Sequence, residues 1–183
     1  TFALEPAEWL QTHQMIPLEV EREWQSTLAQ AVALIQDKMA QGAAHRRLLR
    51  LHGDCHPGNI LWTPTDLPGG GPHFVDLDDA RMGPAVQDLW MLLSGDRRQR
   101  TAQLSALVEG YEQVRDLDRS ELQLIEPLRT LRLIHYSAWL ARRWEDPIFP
   151  VNFPWFGTPD YWRGQVQMLQ EQIEQMQEEP LMV

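Results

Sequence analysis

The 183 residues carry 16 basic and 26 acidic side chains, a formal charge of -10, which argues against a nucleic-acid surface, where clustered Lys and Arg must displace counterions. A content of 43% hydrophobic residues, eight tryptophans among them, is enough to fill one substantial core, so one globular unit is expected. Cys55 stands alone, which excludes an intramolecular disulfide and a multi-cysteine zinc site and suits a reducing cytoplasm. No stretch approaches the ~18 consecutive apolar residues of a membrane span, and TFALEPAEWL lacks a basic region followed by an apolar run. A soluble cytoplasmic protein with no membrane or nucleic-acid partner is the expectation.

From Glu19 to Gln41, Val20, Trp24, Leu28, Ala31, Ile35 and Met39 recur at steps of three and four, predicting a helix with one buried face and a stop at Gly42. Three short apolar runs follow, LLRLH (48–52), ILW (60–62) and HFVDL (73–77), each bounded by Gly and Pro, and these are predicted strands. Pro68-Gly69-Gly70-Gly71-Pro72 supplies a turn between the last two, which makes them a hairpin. Beyond Gly83-Pro84 the pattern is helical, with one stripe of Val86, Leu89, Trp90 and Leu93 and another of Leu104, Leu107, Val108 and Tyr111. Ser120 with Gln123 forms a capping-box pattern before an apolar segment, Leu122 to Trp144, in which Pro127 should kink the helix or start a new one. The stretch from Asp146 to Pro159 reads as an ordered, surface-packed loop. Thr158-Pro159 then opens a last helix with Trp162, Val166, Leu169, Ile173 and Met176 inward. The fold class is mainly α with a small β insert.

All the concentrated polar chemistry lies in that insert. Asp54 follows the first strand, Asn59 comes five residues later, and Asp76 falls in HFVDL. Pairing of ILW with HFVDL would bring the Asn59 amide oxygen and the Asp76 carboxylate beside Asp54. Mg²⁺ takes hard oxygen ligands and keeps waters and substrate phosphates in its shell, so one carboxylate and one amide suffice from the protein. A separate carboxylate can then accept the proton of a hydroxyl nucleophile. Other readings of the same stretch are a zinc site on His52 and His56 and a thiol nucleophile at Cys55. His52 orienting the loop, His56 lining the site and Cys55 as a small buried residue are the plainer roles. Asp78 and Asp79 are either further magnesium or substrate contacts or caps of the next turn.

The string His52-Gly53-Asp54-x-His56-x-x-Asn59, followed by a strand ending in Asp76, resembles the aminoglycoside phosphotransferase and choline kinase branch of the protein kinase-like fold. FVDLDDARMGPAVQDLWMLL and ARRWEDPIFPVNFPWF are similar to a bacterial Ser/Thr protein kinase of that branch. The resemblance implies Asp54 as catalytic base and Asn59 and Asp76 as Mg²⁺ ligands, with Asp76 in the place of the aspartate of the Asp-Phe-Gly element. It implies Asp88 as the aspartate that braces the catalytic loop through backbone N–H groups. It also implies a kinase C-terminal lobe over residues 1–183, with the catalytic loop at 51–62, a metal-binding strand at 73–79 and a helical remainder. A complete kinase adds a lobe with a Gly-rich loop and a strand lysine over the phosphates. Here Gly69 to Gly71 precede no lysine strand and the sole lysine, Lys38, belongs to the first amphipathic helix, so the ATP-clamping lobe is expected to be absent from this chain.

The function so implied is transfer of the ATP γ-phosphate to a hydroxyl, on protein Ser or Thr. The alternatives are a small-molecule kinase of the aminoglycoside, choline or homoserine type, and a non-catalytic kinase-like binding module. The chain alone is expected to be inactive and to self-associate through the face left by the missing lobe.

Overall fold

The computed structural model describes residues 4–41 and 46–183, and these divide into two compact units. The first comprises residues 4–41 and 126–179 and is all helical: α1 (Leu4–Thr12), α2 (Leu18–Ala40), α5 (Ile125–Arg142, but for its first residue), α6 (Ile148–Asn152) and α7 (Pro159–Gln177). Its core follows the predicted periodicity. Val20, Trp24, Leu28, Ala31 and Ile35 of α2 are buried, as are Trp162, Val166, Leu169 and Met176 of α7, and α2 packs along α7. Trp24 meets Trp162 edge to face at 5.7 Å between ring centroids, a favoured aromatic geometry. Met39 and Ile173 are only partly buried, and the predicted stop at Gly42 lies outside the described residues. Thr158 caps α7, its hydroxyl accepting the Tyr161 N–H at 3.2 Å, with Pro159 at the first helical position.

Two elements of this unit escape the periodicity. Helix α1 buries only Pro6, Ala7 and Leu10 among its described side chains, too few positions to mark a stripe. The segment 146–158, read as an ordered loop, contains α6 and a run of aromatic contacts from Trp139 through Phe149, Phe153 and Trp155 to Tyr161. Of the two expectations for Pro127 the structure has the second, a new helix: it stands in the first turn of α5, where the N–H groups have no intrahelical acceptor.

The second unit comprises residues 46–125 and 180–183. Strand β1 (Leu49–Leu51) pairs antiparallel with β4 (Arg81–Gly83), and β2 (Ile60–Thr63) pairs antiparallel with β3 (Gly71–Phe74). Helices α3 (Val86–Trp90) and α4 (Arg97–Glu112) and a 3₁₀ turn at Arg119–Leu124 follow. Three expectations need correction. The strand read at 73–77 runs from Gly71 to Phe74, so Asp76 is outside it. The helix read from Leu122 begins as the 3₁₀ turn, and Asp118 rather than Ser120 caps it, accepting the Ser120 N–H at 2.9 Å. A reciprocal capping box does occur, at Asp96 and Gln99, where it starts α4.

Candidate active site

The loop between β1 and β2 is fixed from three sides. The Asp88 carboxylate of α3 accepts the His52 N–H at 2.8 Å and the Gly53 N–H at 2.9 Å, one on each oxygen. The Gln87 amide donates to the Gly53 carbonyl at 3.3 Å. The His52 ring nitrogen Nε2 lies 2.8 Å from the Val75 carbonyl oxygen. Because a carbonyl only accepts, Nε2 carries the proton, and Nδ1 is then free to accept the Asp54 N–H at 3.4 Å. Both His52 ring nitrogens are therefore committed to backbone, which removes the residue from the two-histidine zinc reading.

Gly53 is required by this geometry. Its φ is +88°, and a Cβ there would stand 2.1 Å from the Asp79 carbonyl oxygen, inside any van der Waals contact. A residue with a side chain would suffer both the left-handed strain and the clash. The sharp turn at Gly53 presents Asp54 at the start of the loop, with its side chain 16% exposed.

Asp54 and Asn59 are tied by the loop itself. The Asp54 carbonyl accepts the His56 N–H at 2.9 Å and the Asn59 side-chain amide at 3.0 Å. With its nitrogen so committed, the acceptor atom of the Asn59 side chain is its Oδ1. The Asn59 carbonyl in turn accepts the Val75 N–H at 3.0 Å. Val75 is thus held through its N–H by Asn59 and through its carbonyl by His52, and Asp76 is the next residue. Asp76 is exposed and has φ +62°, a left-handed conformation that Asp tolerates better than most residues. Of the sequence-predicted set, Asp54, Asn59, His52 and Asp88 are thus joined by one continuous hydrogen-bonded frame that also holds Val75, the residue before Asp76. Asp76 itself is a turn residue that follows β3, a correction to the metal-binding strand expected at 73–79.

The remaining candidates separate. His56 accepts the Gly58 N–H on Nδ1 at 3.0 Å, which puts its proton on Nε2, 3.6 Å from Asp54 Oδ2. Asp79 holds Arg81, through its carboxylate at 2.8 Å and its carbonyl at 2.9 Å, while Asp78 lies exposed on the same turn. Cys55 is buried, and burial, reinforced by the Asp88 and Asp54 charges, pushes its thiol up to about 11. It stays protonated near neutrality, so it is no activated nucleophile. Gln87 was missed by sequence reasoning; its only signal is its place beside Asp88.

The donor set fits a hard cation: a carboxylate and an amide oxygen, with no committed imidazole or thiolate among them. Among the described residues, no group of three or more His, Cys, Asp or Glu side chains is arranged to hold a metal by itself. No described helix is long and apolar enough to cross a membrane.

The profile of the phosphotransferase enzyme family matches residues 1–124. The chain belongs to the phosphotransferase enzyme family. Among curated relatives, stress response kinase A of Escherichia coli strain K12 is 46% identical over 184 residues, covering 98% of this chain and 52% of the relative. A protein named serine/threonine protein kinase RdoA from Salmonella typhimurium strain LT2 is 56% identical over 133 residues, covering 73% of this chain and 39% of that relative. The chain spans about half the length of the curated relatives it matches. The family match takes in the whole frame from β1 through the Arg119–Leu124 turn.

Proposed function

We propose that this chain is the acceptor-side catalytic lobe of an ATP-dependent kinase that transfers the γ-phosphate to Ser or Thr hydroxyls of proteins in the cytoplasm. The observation that carries the reading is the double grip of Asp88 on the His52 and Gly53 N–H groups, which fixes the turn leading into Asp54 and the loop to Asn59. Asp54 acts as the base, orienting the acceptor hydroxyl and taking its proton. Asn59 Oδ1 and the Asp76 carboxylate hold Mg²⁺, which neutralises charge on the transferring phosphate. His56, with its N–H directed toward Asp54, orients that carboxylate. The relatives named as stress response and serine/threonine protein kinases support a protein acceptor.

The test is γ-phosphate transfer from labelled ATP to a general protein substrate, with choline, homoserine and an aminoglycoside as competing acceptors. We expect label on protein Ser and Thr from an enzyme that carries this chain together with a phosphate-clamping lobe, and none from the 183 residues alone. Label on a small acceptor only would move the chain to the small-molecule kinases. Turnover by the 183 residues alone would show that they complete their own phosphate site.

Next to the frame, Leu61, Trp62, Leu67, Phe74, Leu77 and Met82 each expose more than half of their surface. Large apolar patches of this kind drive association, and we infer that the isolated chain pairs with a second copy through them. Sedimentation velocity should give a mass that rises with concentration, and Trp62→Glu with Met82→Glu should hold it at the monomer value. A monomer at every concentration in the unaltered chain would refute the pairing.

A further inference from the structure

Glu121 is a buried carboxyl that the site described above does not use. It lies in the 3₁₀ turn at Arg119–Leu124 with 2% of its surface exposed, and its Oε2 accepts the Val86 N–H at 3.0 Å. Val86 is the first residue of α3, and its N-cap, Ala85, provides no side-chain hydrogen bond. The first N–H groups of a helix have no partner within it, and here one of them takes its acceptor from 35 positions along the chain. Burial raises the Glu121 carboxyl above its ordinary value, opposed by the Val86 and Ala85 N–H groups. A carboxyl kept in such a place at a desolvation cost, with a backbone donor aimed at it, has a positional task.

The task follows from what α3 carries. The helix has only five residues, and the two after Val86 are Gln87 and Asp88, whose side chains hold the Gly53 carbonyl and the His52 and Gly53 N–H groups. So short a helix has little internal hydrogen bonding to fix its first turn. An anchor at Val86 therefore sets where the Asp88 carboxylate stands, and through it the turn that presents Asp54. Resting on the kinase reading above, we propose that Glu121 is a positioning residue of the phosphotransfer site, acting through Val86, Asp88 and Gly53 on Asp54.

The experiment is amide hydrogen exchange by NMR on the 183-residue chain. Glu121→Ala should speed exchange at His52 and Gly53 about tenfold beyond any change at Leu104 and Val108 of α4, a local opening rather than a global one. Glu121→Gln, which keeps an acceptor oxygen at the same reach, should restore protection. If Glu121→Ala does not fold, Glu121→Asp, which withdraws the acceptor by one methylene, is read in the same way. Uniform acceleration across the unit, no change at His52 and Gly53, or equal loss in the Gln variant would each overturn the assignment. In the complete enzyme Glu121→Ala should lower kcat by about 10²-fold, the scale of a small misplacement of reacting groups, with KM for ATP unchanged. Asp54→Asn assayed in parallel separates the two levels. An inactive Asp54→Asn beside a fully active Glu121→Ala sinks the positioning role alone, whereas an active Asp54→Asn sinks the kinase assignment itself.

Discussion

Asp54→Asn in the complete enzyme is expected to lower turnover by roughly 10²–10⁴-fold, the contribution of a general base, while Mg²⁺-ATP affinity stays unchanged. Asn has the same shape, and the loop bonds at this position run through the Asp54 carbonyl, which accepts from His56 and Asn59, and the Asp54 N–H, which donates to His52. None of these depends on the side chain, so the substitution removes the base and leaves the frame. The proposed base acts on the acceptor hydroxyl, on the side of the site away from the nucleotide. Steady-state kinetics paired with calorimetric titration of Mg²⁺-ATP reads both quantities. Nucleotide affinity falling in step with turnover would mean that Asp54 holds metal or phosphate instead.

Why that experiment can be designed from the sequence at all is a matter of locality. His52, Gly53, Asp54, His56 and Asn59 sit within eight positions, and a short loop between two strands leaves few ways to arrange them. The buried faces of α2 and α7 were equally legible, since 23 and 19 residues respectively give several repeats of the 3.6-residue period. What sequence reasoning missed has the opposite character. Strand β4 has three residues, too short for any alternation to show, although its pairing with β1 makes one of the second unit's two small sheets. Helix α6 has five residues and lies in a proline-rich stretch, where periodicity is masked by turn residues.

The polar anchors divide along the same line. Asp88 could be named through resemblance, but its bonds to His52 and Gly53 span 36 and 35 positions, and no local pattern encodes them. Glu121 has no motif at all. Its role becomes visible only when the Arg119–Leu124 turn is brought against Val86, and in the sequence it looks like any acidic residue in a helix's first turn. Ser120 shows the converse failure. Its spacing to Gln123 satisfies the capping-box pattern, yet Asp118 takes the capping position because the turn starts two residues earlier. Sequence patterns of this type fix that a cap exists more reliably than which residue provides it.

The placement of Asp76 is the correction with the most chemical consequence, and it defines the second large effect. In a strand its side chain would alternate with its neighbours and its backbone would be replaceable. At φ +62° the backbone is left-handed, a conformation costing most residues roughly 1–2 kcal/mol and tolerated by Asn and Asp. Asp76→Ala would therefore mix lost charge with backbone strain, whereas Asp76→Asn keeps the turn and removes the charge alone. We expect Asp76→Asn to weaken Mg²⁺-dependent nucleotide binding by at least about 10–100-fold, the range produced by disturbing even an outer-shell partner of a metal site. Its melting temperature without metal should match that of the unaltered protein, because the exposed carboxylate contributes little to folding in water. Calorimetric titrations of ATP across a series of Mg²⁺ concentrations measure the first effect and thermal unfolding the second. A normal Mg²⁺ dependence in the Asn variant would transfer the ligand role to another oxygen on the same turn. Asp78 would then be the residue to replace next, since Asp79 is already engaged with Arg81.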